Sequence, residues 1–330
     1  MGEFDLIERY FKAPARAMRP NDAVALGIGD DCALLQPAAG MQLAISSDML
    51  VEGRHFFADV DPFTLGHKAL AVNLSDLAAC GAKPLAFTLA LALPQADEAW
   101  LAPFSRGLLA LAAEHNCALI GGDTTQGPLN ICITVFGEVP KNGALLRSGA
   151  QVDDDIYVSG ALGDARLALE VLRGNLTLSA EAFAAARARL EMPTPRVALG
   201  MALRGIASSA IDVSDGLLGD LGHILKQSQV GAVIDTSIAI NLIAIQEINT
   251  PSISKFTYQK QLQYALSGGD DYELVFTAPV TMREAVQAAS LKAATKISRV
   301  GQIEAELGLR LIDAQGQAVP NNFGSFDHFQ

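Results

Sequence analysis

The order of hydrophobic and polar positions predicts alternating strands and helices in the first half of the chain. The segment MQLAISSDML alternates Leu43 and Ile45 with small or polar residues, which predicts a strand that ends near Ser47. Residues 64–82 carry apolar side chains at helical spacing and reach a stop signal at Gly81, which predicts a helix. A second amphipathic helix is predicted at DEAWLAPFSRGLLALAAEH. Further strands are predicted at LNICITVFGEV and at CALIGGDTT, the latter running into a glycine turn.

The second half of the chain repeats this mixture after a polar, glycine-containing segment, PKNGALLRSGAQVDDD, which is typical of a crossover between domains. DIYVSGALGDARLALEVL predicts a strand, a glycine turn and a helix, and SAIDVSDGLLGDLGHILKQS predicts a short strand, an acidic turn and a helix. SGGDDYELVFTAP predicts a turn and a strand, and LRLIDAQGQAV predicts a hairpin. We therefore predict an α/β fold of the α+β type with two α/β domains, residues 1–149 and 150–330.

Composition narrows the class of protein. The chain has 330 residues and is 50% hydrophobic, which is enough to bury a large core. Its formal net charge of −12 lacks the basic footprint of a nucleic-acid-binding protein, so we expect no nucleic-acid partner. We expect neither a membrane span nor a secretory signal, because no run of about 18 apolar residues occurs and the start, MGEFDLIERYF, is acidic. The scattered cysteines, without a CxxC pair, favour a reducing cytoplasm over a zinc or iron–sulfur site.

Aspartate recurs beside small or hydroxyl residues, at places where strands are expected to end. These places are GDD (29–31), SSD (46–48), NLSD (73–76), GGD (121–123), DVSD (212–215) and GGDD (268–271). Turn propensity alone explains any one of them, since Asp, Ser and Gly all favour turns. Six together favour metal sites, because Mg²⁺ takes carboxylate oxygens together with water and substrate phosphates. The residues by themselves leave both interpretations open.

The common phosphate and metal motifs are missing from the sequence. It contains no GxxxxGK[ST] phosphate loop, no EF-hand loop, no HExxH and no GxSxG. GIGDDC lacks the third glycine of a dinucleotide fingerprint, and its aspartates would repel a pyrophosphate. If the protein binds nucleotides, it does so without a Walker loop.

Seven motifs in order resemble the thiamine-monophosphate kinase family. They are GIGDDCALL, SSDMLVEGRHF, KALAVNLSDLAACGA, LIGGDTTQGP, SAIDVSDGL, SGGDDYELVF and FDHF, and they extend from near the N-terminus almost to the C-terminus. The wider superfamily is similar and contains aminoimidazole ribonucleotide synthetase, selenophosphate synthetase and a hydrogenase maturation protein. The resemblance implies an ATP-dependent transfer of phosphate to thiamine monophosphate that gives thiamine diphosphate. It also implies several Mg²⁺ ions, an N-terminal domain that binds ATP and Mg²⁺ and pairs through its mixed sheet in a homodimer, and a C-terminal domain that completes the nucleotide and substrate site.

The resemblance also assigns roles to individual residues. The implied metal ligands are Asp31, Ser46, Ser47, Asp48, Asp76, Asp123, Asp212 and Asp215, with Asp30 as an indirect or water-mediated partner. The implied ATP contacts are Gly122, Asp123, Arg147 and Ser214, and the implied contacts of the acceptor substrate are His55, Asp270 and Phe326. The family usually has GGEDYEL where this chain has GGDDYEL, so Asp270 stands one methylene shorter than the family's glutamate.

No catalytic side chain is expected, because the acceptor phosphate is itself a nucleophile at neutral pH; its second pKa is about 6. Catalysis then consists of positioning and charge neutralisation. Two alternatives remain open: another ATP-using synthetase of the same superfamily, and a non-catalytic acidic metal-binding protein. Selenophosphate synthetase would need a reactive cysteine before GIGDD, and the segment there has none.

Overall fold

The structure is a computed structural model that describes residues 2–18, 21–247 and 257–324. It separates into two compact units, one formed mainly by the first 143 residues and the other mainly by residues 144 onwards. Each unit combines helices with a β-sheet, so the predicted α/β class is confirmed. No helix within the described residues combines the length and the hydropathy that crossing a membrane requires.

The first unit opens with a helical segment whose middle turn is π-helical, and it continues with strands and two long helices. In chain order the elements are α1 (Glu3–Ile7), the π-helical turn Glu8–Lys12, α2 (Ala13–Arg16), β1 (Val24–Leu26), β2 (Leu34–Leu35), β3 (Met41–Val51), α3 (Pro62–Ala79), β4 (Lys83–Leu93), α4 (Glu98–Glu114), β5 (Ala118–Gln126) and β6 (Asn130–Pro140). The short strands β1 and β2 pair with each other, and the longer strands form a sheet in the order β3-β6-β4-β5.

The two faces of this four-stranded sheet differ in burial. Ile131, Ile133 and Val135 of β6 are buried, whereas the residues between them are only partly covered. Helix α3 lies on the buried face, because a side chain at Gly137 would start 3.0 Å from the Leu77 side chain of that helix. The alternation along β6 therefore separates a helix-covered face from an open one.

Helices α3 and α4 approach each other through two glycines. A Cβ atom at Gly66 would lie 2.1 Å from the carbonyl oxygen of Phe104, and one at Gly107 would lie 1.9 Å from the carbonyl oxygen of Phe63. Neither distance accommodates a side chain, so each glycine is required by the neighbouring helix backbone. The close approach overrides the low helix propensity of glycine.

Three sequence predictions about local structure in this unit are wrong. Strand β3 does not end near Ser47 but continues to Val51, because β6 pairs with it along its whole length. The GGD segment is not a turn: Gly122 and its neighbours lie inside β5, which has a bulge opposite Phe87 and Thr88. Asp76 does not follow a strand but lies in α3.

The second unit has a larger sheet with helices packed against it. Its elements are β7 (Asp155–Ser159), α5 (Asp164–Leu172), α6 (Ala180–Glu191), α7 (Val197–Ala202), β8 (Ser209–Val213), α8 (Leu217–Ser228), β9 (Gly231–Asp235), α9 (Thr236–Ala239), α10 (Tyr258–Ser267), β10 (Glu273–Ala278), α11 (Arg283–Lys292), β11 (Ile297–Glu304), β12 (Gly308–Ile312) and β13 (Ala318–Val319). Short 3₁₀ turns lie at Ile240–Leu242, Ala244–Glu247 and Val280–Met282.

The strand order of this second sheet is β13-β12-β9-β11-β7-β10-β8. Strands β9 and β12 run parallel, and the other neighbouring pairs are antiparallel. Because β8 and β10 are antiparallel neighbours, the turn that follows β8 lies beside the turn that precedes β10. This pairing brings the DVSD and GGDD motifs to one end of the sheet, and it confirms the predicted strand–turn–helix pattern from β8 to α8.

Replacing Gly107 by alanine is expected to destabilise the first unit by about 2 kcal/mol, because α3 and α4 must separate to admit the methyl group. Gly222→Ala is the matched control: it lies inside α8 with no atom within 4 Å of the added Cβ. There the higher helix propensity of alanine should stabilise by roughly 0.5–1 kcal/mol. Thermal unfolding of both variants checks the opposite signs, and equal stability of Gly107→Ala and the wild type would contradict the close helix approach.

Candidate functional site

In the first unit, β3 and α3 bring a hydroxyl and a carboxylate together. Ser46 Oγ donates a hydrogen bond to Asp76 Oδ2 at 2.5 Å. The backbone N–H of Asp48 donates to Asn73 Oδ1 at 3.1 Å. Because Asn73 lies three residues before Asp76 in α3, this bond is a second contact between the helix and the strand. Ser46 and Asp48 are two residues apart in a strand and share the face that α3 covers. The three oxygen-bearing side chains of Ser46, Asp48 and Asp76 therefore lie on one side of the sheet.

Ser47 points to the other face of the sheet. Its hydroxyl lies 3.0 Å from Thr134 Oγ1 and 3.1 Å from the carbonyl oxygen of Ile133, to which it donates. The structure therefore places the Ser47 hydroxyl on the opposite side of the sheet from the side chains of Ser46 and Asp76. Strand alternation explains the separation, since consecutive side chains point to opposite faces.

Gly122 and Asp123 lie on the opposite edge strand, β5. The register pairs Asp48 with Ile133, Ile133 with Leu89 and Leu89 with Gly122, so Gly122 shares a row with Asp48 across the sheet. Three strand spacings separate the two ends of this row, roughly 14 Å along the sheet. Gly122 has φ +147°, and a Cβ there would lie 1.8 Å from the carbonyl oxygen of Leu89, so only glycine fits.

Two basic side chains lie beside the exposed turn that contains Asp30 and Asp31. The backbone N–H of Asp31 donates to Asp30 Oδ1 at 2.9 Å, which closes the turn. A side chain at Gly29 would start 3.4 Å from Arg16 Nη2 and 3.9 Å from Lys12 Nζ. Neither basic residue was predicted from the sequence as part of the site. The signal is their spacing of four residues, which puts both on one side of the N-terminal helical segment.

His55 lies in the turn after β3 and is half-buried. Its Nδ1 accepts a hydrogen bond from the backbone N–H of Val51 at 3.0 Å. In the neutral ring this leaves the proton on Nε2. Phe326, the other predicted aromatic contact, lies outside the described residues.

In the second unit the turns beside β8 and β10 are interlocked. The backbone N–H of Asp270 donates to the carbonyl of Ser214, and that of Tyr272 donates to the carbonyl of Val213, both at 2.8 Å. Asp212 lies within β8, and Asp215 lies in the turn that follows it. The structure thus brings together the second-unit residues of the DVSD and GGDD motifs.

Arg147 is exposed and lies in the segment that precedes β7. Its carbonyl accepts from Ser228 Oγ at 3.2 Å, and the carbonyl of the preceding Leu146 accepts from the backbone N–H of Ala210 in β8. The arginine therefore lies beside the strand that carries Asp212.

Three buried carboxylates in the second unit are held by backbone N–H groups. Burial raises the pKa of Asp220 to about 7 and that of Asp164 to about 6, although hydrogen bonds from the main chain oppose each rise. Burial also raises the pKa of Asp271 well above its usual range, and both of its oxygens lie within 3.0 Å of the backbone nitrogen of Gly163. These acids support the backbone around the site.

A fourth buried acid, Glu273, is neutralised by arginines. Arg189 Nη2 and Arg196 Nε each donate to its carboxylate at 2.6 Å, and Ser159 Oγ donates at the same distance. Glu273 is the first residue of β10, immediately after the turn that carries Asp270. The ion pairs therefore secure the start of the strand on which that turn depends.

The donor atoms in the first unit suit a hard cation. A serine hydroxyl and two carboxylates on one side of β3 are oxygen donors of the kind that Mg²⁺ prefers. Within residues 2–18, 21–247 and 257–324, no three or more histidine, cysteine, aspartate or glutamate side chains are gathered so that they could hold a metal ion. The donor set is thus chemically suitable, and the metal roles of the individual residues stay predictions.

Family models and solved structures identify the fold of the chain. The model of the AIR synthase related protein N-terminal domain matches residues 29–139, and that of the C-terminal domain matches residues 151–314. Structures of the hydrogenase maturation protein HypE share the fold, with a TM-score of 0.77 at 20% identity for the complex with ATP. The fold is therefore that of the AIR synthase related proteins.

The more similar relatives are thiamine-monophosphate kinases. The one from Salmonella typhimurium is 46% identical over 99% of this chain and 98% of its own length, and that from Haemophilus influenzae is 42% identical over 100% and 98%. The crystal structure of thiamine-monophosphate kinase from Stenotrophomonas maltophilia has a TM-score of 0.84 at 44% identity, covering 97% of this chain and 98% of that one. The chain belongs to the thiamine-monophosphate kinase family, which confirms the resemblance seen in its motifs.

Asp164→Asn is expected to change the pH dependence of stability. The pKa of Asp164 is about 6 in the folded chain against about 3.9 in the unfolded one, so the folded state binds the proton more tightly. The stabilisation of the folded state by this tighter proton binding is complete below pH 4 and is lost as the pH rises through 6. The variant should therefore gain stability relative to wild type between pH 4 and 7, by on the order of 2 kcal/mol. Unfolding across this range measures the difference, and a constant difference would contradict the raised pKa.

Proposed function

We propose that this protein transfers the γ-phosphoryl group of ATP directly to thiamine monophosphate, with Mg²⁺ bound, giving thiamine diphosphate and ADP. The observation that carries the proposal is the 46% identity to a thiamine-monophosphate kinase over 99% of the chain. A solved structure described as AaThiL complexed with AMPPCP and TMP supports the choice of ligands; it is 25% identical, with a TM-score of 0.73 over 99% of this chain.

The reaction requires two polyanions to approach each other within bonding distance. The acceptor phosphate is already ionised near neutral pH, so no side chain has to remove a proton from it. Mg²⁺, when bound, would supply charge neutralisation to the two phosphate groups. The protein residues then orient both phosphates and hold the surrounding charges in place.

In the first unit we assign cation binding chiefly to Ser46, Asp48 and Asp76. The support is the Ser46–Asp76 hydrogen bond and the shared face of the strand. Ser47 would contribute through its main chain, because its hydroxyl bonds to the β6 backbone and lies within hydrogen-bond distance of Thr134. Asp31 and Asp123 are proposed as further ligands.

Three other residues of the first unit have proposed roles. Asp30 acts indirectly, by accepting the backbone N–H of its neighbour and so shaping the turn. Gly122 admits the nucleotide close to the backbone, because it carries no side chain at a left-handed φ. His55 contacts the acceptor substrate.

In the second unit we assign Asp212 and Asp215 to cation binding and Ser214 and Arg147 to ATP. The interlocked turns support this grouping, since they hold the three DVSD residues and Asp270 in a fixed arrangement. Asp270 is proposed to contact the acceptor substrate, as is Phe326.

We propose that two copies of the chain pair through the open face of the four-stranded sheet. Leu43, Ile45 and Met49 of β3 are all exposed on that face, and Ile45 is 60% exposed. An apolar row of this kind on a sheet is typical of a surface that another chain covers. We also propose a reducing, cytoplasmic location: all four cysteines lie among the described residues, and none of them is in a disulfide.

The kinase proposal is tested with purified protein, ATP, thiamine monophosphate and excess Mg²⁺, by measuring thiamine diphosphate. Asp76→Asn should lower kcat more than 100-fold with little change in Tm, because it weakens a cation ligand that also accepts from Ser46. Asp59→Asn, an exposed acid in the loop after β3, is the control and should keep wild-type activity. The kinase function is wrong if wild type forms no thiamine diphosphate, and the cation role of Asp76 is wrong if its variant turns over normally.

Pairing through the sheet face is tested by Ile45→Lys, which places a charge in the centre of the apolar row. The variant should sediment as a monomer, whereas wild type sediments as a dimer. Leu291→Lys is the control. Leu291 lies on α11 of the second unit and is 81% exposed, more than Ile45, so its replacement should leave the dimer intact. Dimeric Ile45→Lys protein would show that the chains pair elsewhere.

A further inference from the structure

Asp220 lies in the first turn of α8 and was not among the residues predicted from the sequence. It is only 3% exposed. Its Oδ2 accepts the backbone N–H of Asp215 at 3.0 Å, and the backbone N–H groups of Ser214 and Gly216 also interact with the carboxylate. The side chain thus accepts one hydrogen bond from the turn and lies close to the two neighbouring main-chain N–H groups.

These three N–H groups belong to the turn that links β8 to α8. A carboxylate suits this position, because its two oxygens can accept about four hydrogen bonds, whereas an amide offers only one acceptor oxygen. The backbone N–H of Asp220 itself donates to the carbonyl of Gly216 at 3.0 Å, so the turn and the helix start are tied in both directions. Asp220 therefore determines where residues 214–216 lie relative to α8.

The same turn supports the turn before β10. A side chain at Gly269 would start 2.9 Å from the carbonyl oxygen of Ser214, and one at Gly216 would start 2.8 Å from Cα of Ser267. Asp270 and Tyr272 both have left-handed backbones, with φ values of +62° and +51°. Such conformations are costly for residues other than glycine and persist only where the surroundings hold them. Displacement of residues 214–216 would therefore also displace Asp270.

We propose that Asp220 is a positioning residue for phosphoryl transfer: by accepting the N–H of Asp215 and donating its own N–H to the carbonyl of Gly216, it holds the Ser214 and Asp215 side chains in their working arrangement. The inference rests on the proposed function, because it takes Ser214 as an ATP contact and Asp215 as a cation ligand. Asp220 itself touches neither substrate. Its effect reaches the reaction through the turn.

The test compares Asp220→Asn with Asp154→Asn in the full-length chain. Asp154 is a matched control, since it is also 3% exposed and accepts from the backbone N–H of Gln151 and from Ser208 Oγ. For each variant we measure Tm, kcat and KM, the Mg²⁺ concentration that gives half-maximal rate, and equilibrium binding of AMPPCP with Mg²⁺.

Both variants should lose a similar amount of Tm, because each loses part of a buried hydrogen-bond set. Asp220→Asn alone should lower kcat/KM by about 10- to 100-fold, the usual effect of disturbing groups that orient a ligand. It should also raise the Mg²⁺ requirement and weaken AMPPCP binding. If Asp220→Asn does not unfold cooperatively, Asp220→Glu retains the carboxylate one methylene further out and should be folded but slowed.

The outcomes separate the two proposals. If wild type forms no thiamine diphosphate, the proposed function fails, whatever the variants do. If wild type is active and folded Asp220 variants match it in kcat/KM and Mg²⁺ requirement, the positioning role is overturned and the kinase function stands. Equal losses of activity in Asp154→Asn and Asp220→Asn would likewise overturn it, since they would reflect a general effect of removing a buried charge.

Discussion

The position of Asp76 depends on how closely helix α3 can approach the four-stranded sheet. Gly137 provides the room on the strand, because a side chain there would meet Leu77 of α3. At this separation Asp76 reaches the hydroxyl of Ser46, and Asn73 reaches the backbone of Asp48. A helix held farther from the sheet would break both hydrogen bonds, which costs stability wherever a partner stays covered from water. The packing at Gly137 and the arrangement of these oxygen-bearing side chains therefore depend on each other.

In the second unit, the buried polar groups that need hydrogen-bond partners are carboxylates. Asp220 and Asp271 are buried, and each accepts a backbone N–H from a turn or a helix start. Glu273 instead takes two arginines. A buried carboxylate without such partners would be strongly unfavourable. Because each acid holds a different part of the chain, together they fix turns that secondary structure alone would leave loosely defined.

Much of this architecture was predictable, and the exceptions have physical causes. Periodicity located the helix at 64–82 and the strand–turn–helix unit around DVSD, since both patterns arise from local burial. Glycine in GGD was interpreted as a turn signal, but Gly122 lies in a strand because of the nearby carbonyl of Leu89. That requirement comes from another strand, so the local sequence does not reveal it.

The arrangement of the candidate site was predictable only in part, for the same reason. The family resemblance indicated Ser46 and Asp76 as well as Ser47. The Ser47 hydroxyl points to the opposite face because consecutive strand residues alternate, and the sequence alone did not show that the strand continues past Ser47. Lys12 and Arg16 lie beside the GDD turn because of tertiary packing of the N-terminal helical segment. Asp220 was indistinguishable in the sequence from a surface acid in a helix's first turn, because its burial depends on the turns packed against it.

The left-handed backbone at residue 270 bears on the GGDDYEL segment, where the resemblance to the kinase family leads us to expect glutamate. Aspartate adopts that conformation more readily than longer or branched side chains, because its short polar group can bond locally. Here its carboxylate has the hydroxyl of Tyr272 at 3.4 Å. Compared with glutamate, an aspartate at residue 270 reaches less far towards a ligand but adopts this backbone conformation more easily. Replacing Asp270 by glutamate would therefore extend the acid and carry a backbone cost of its own.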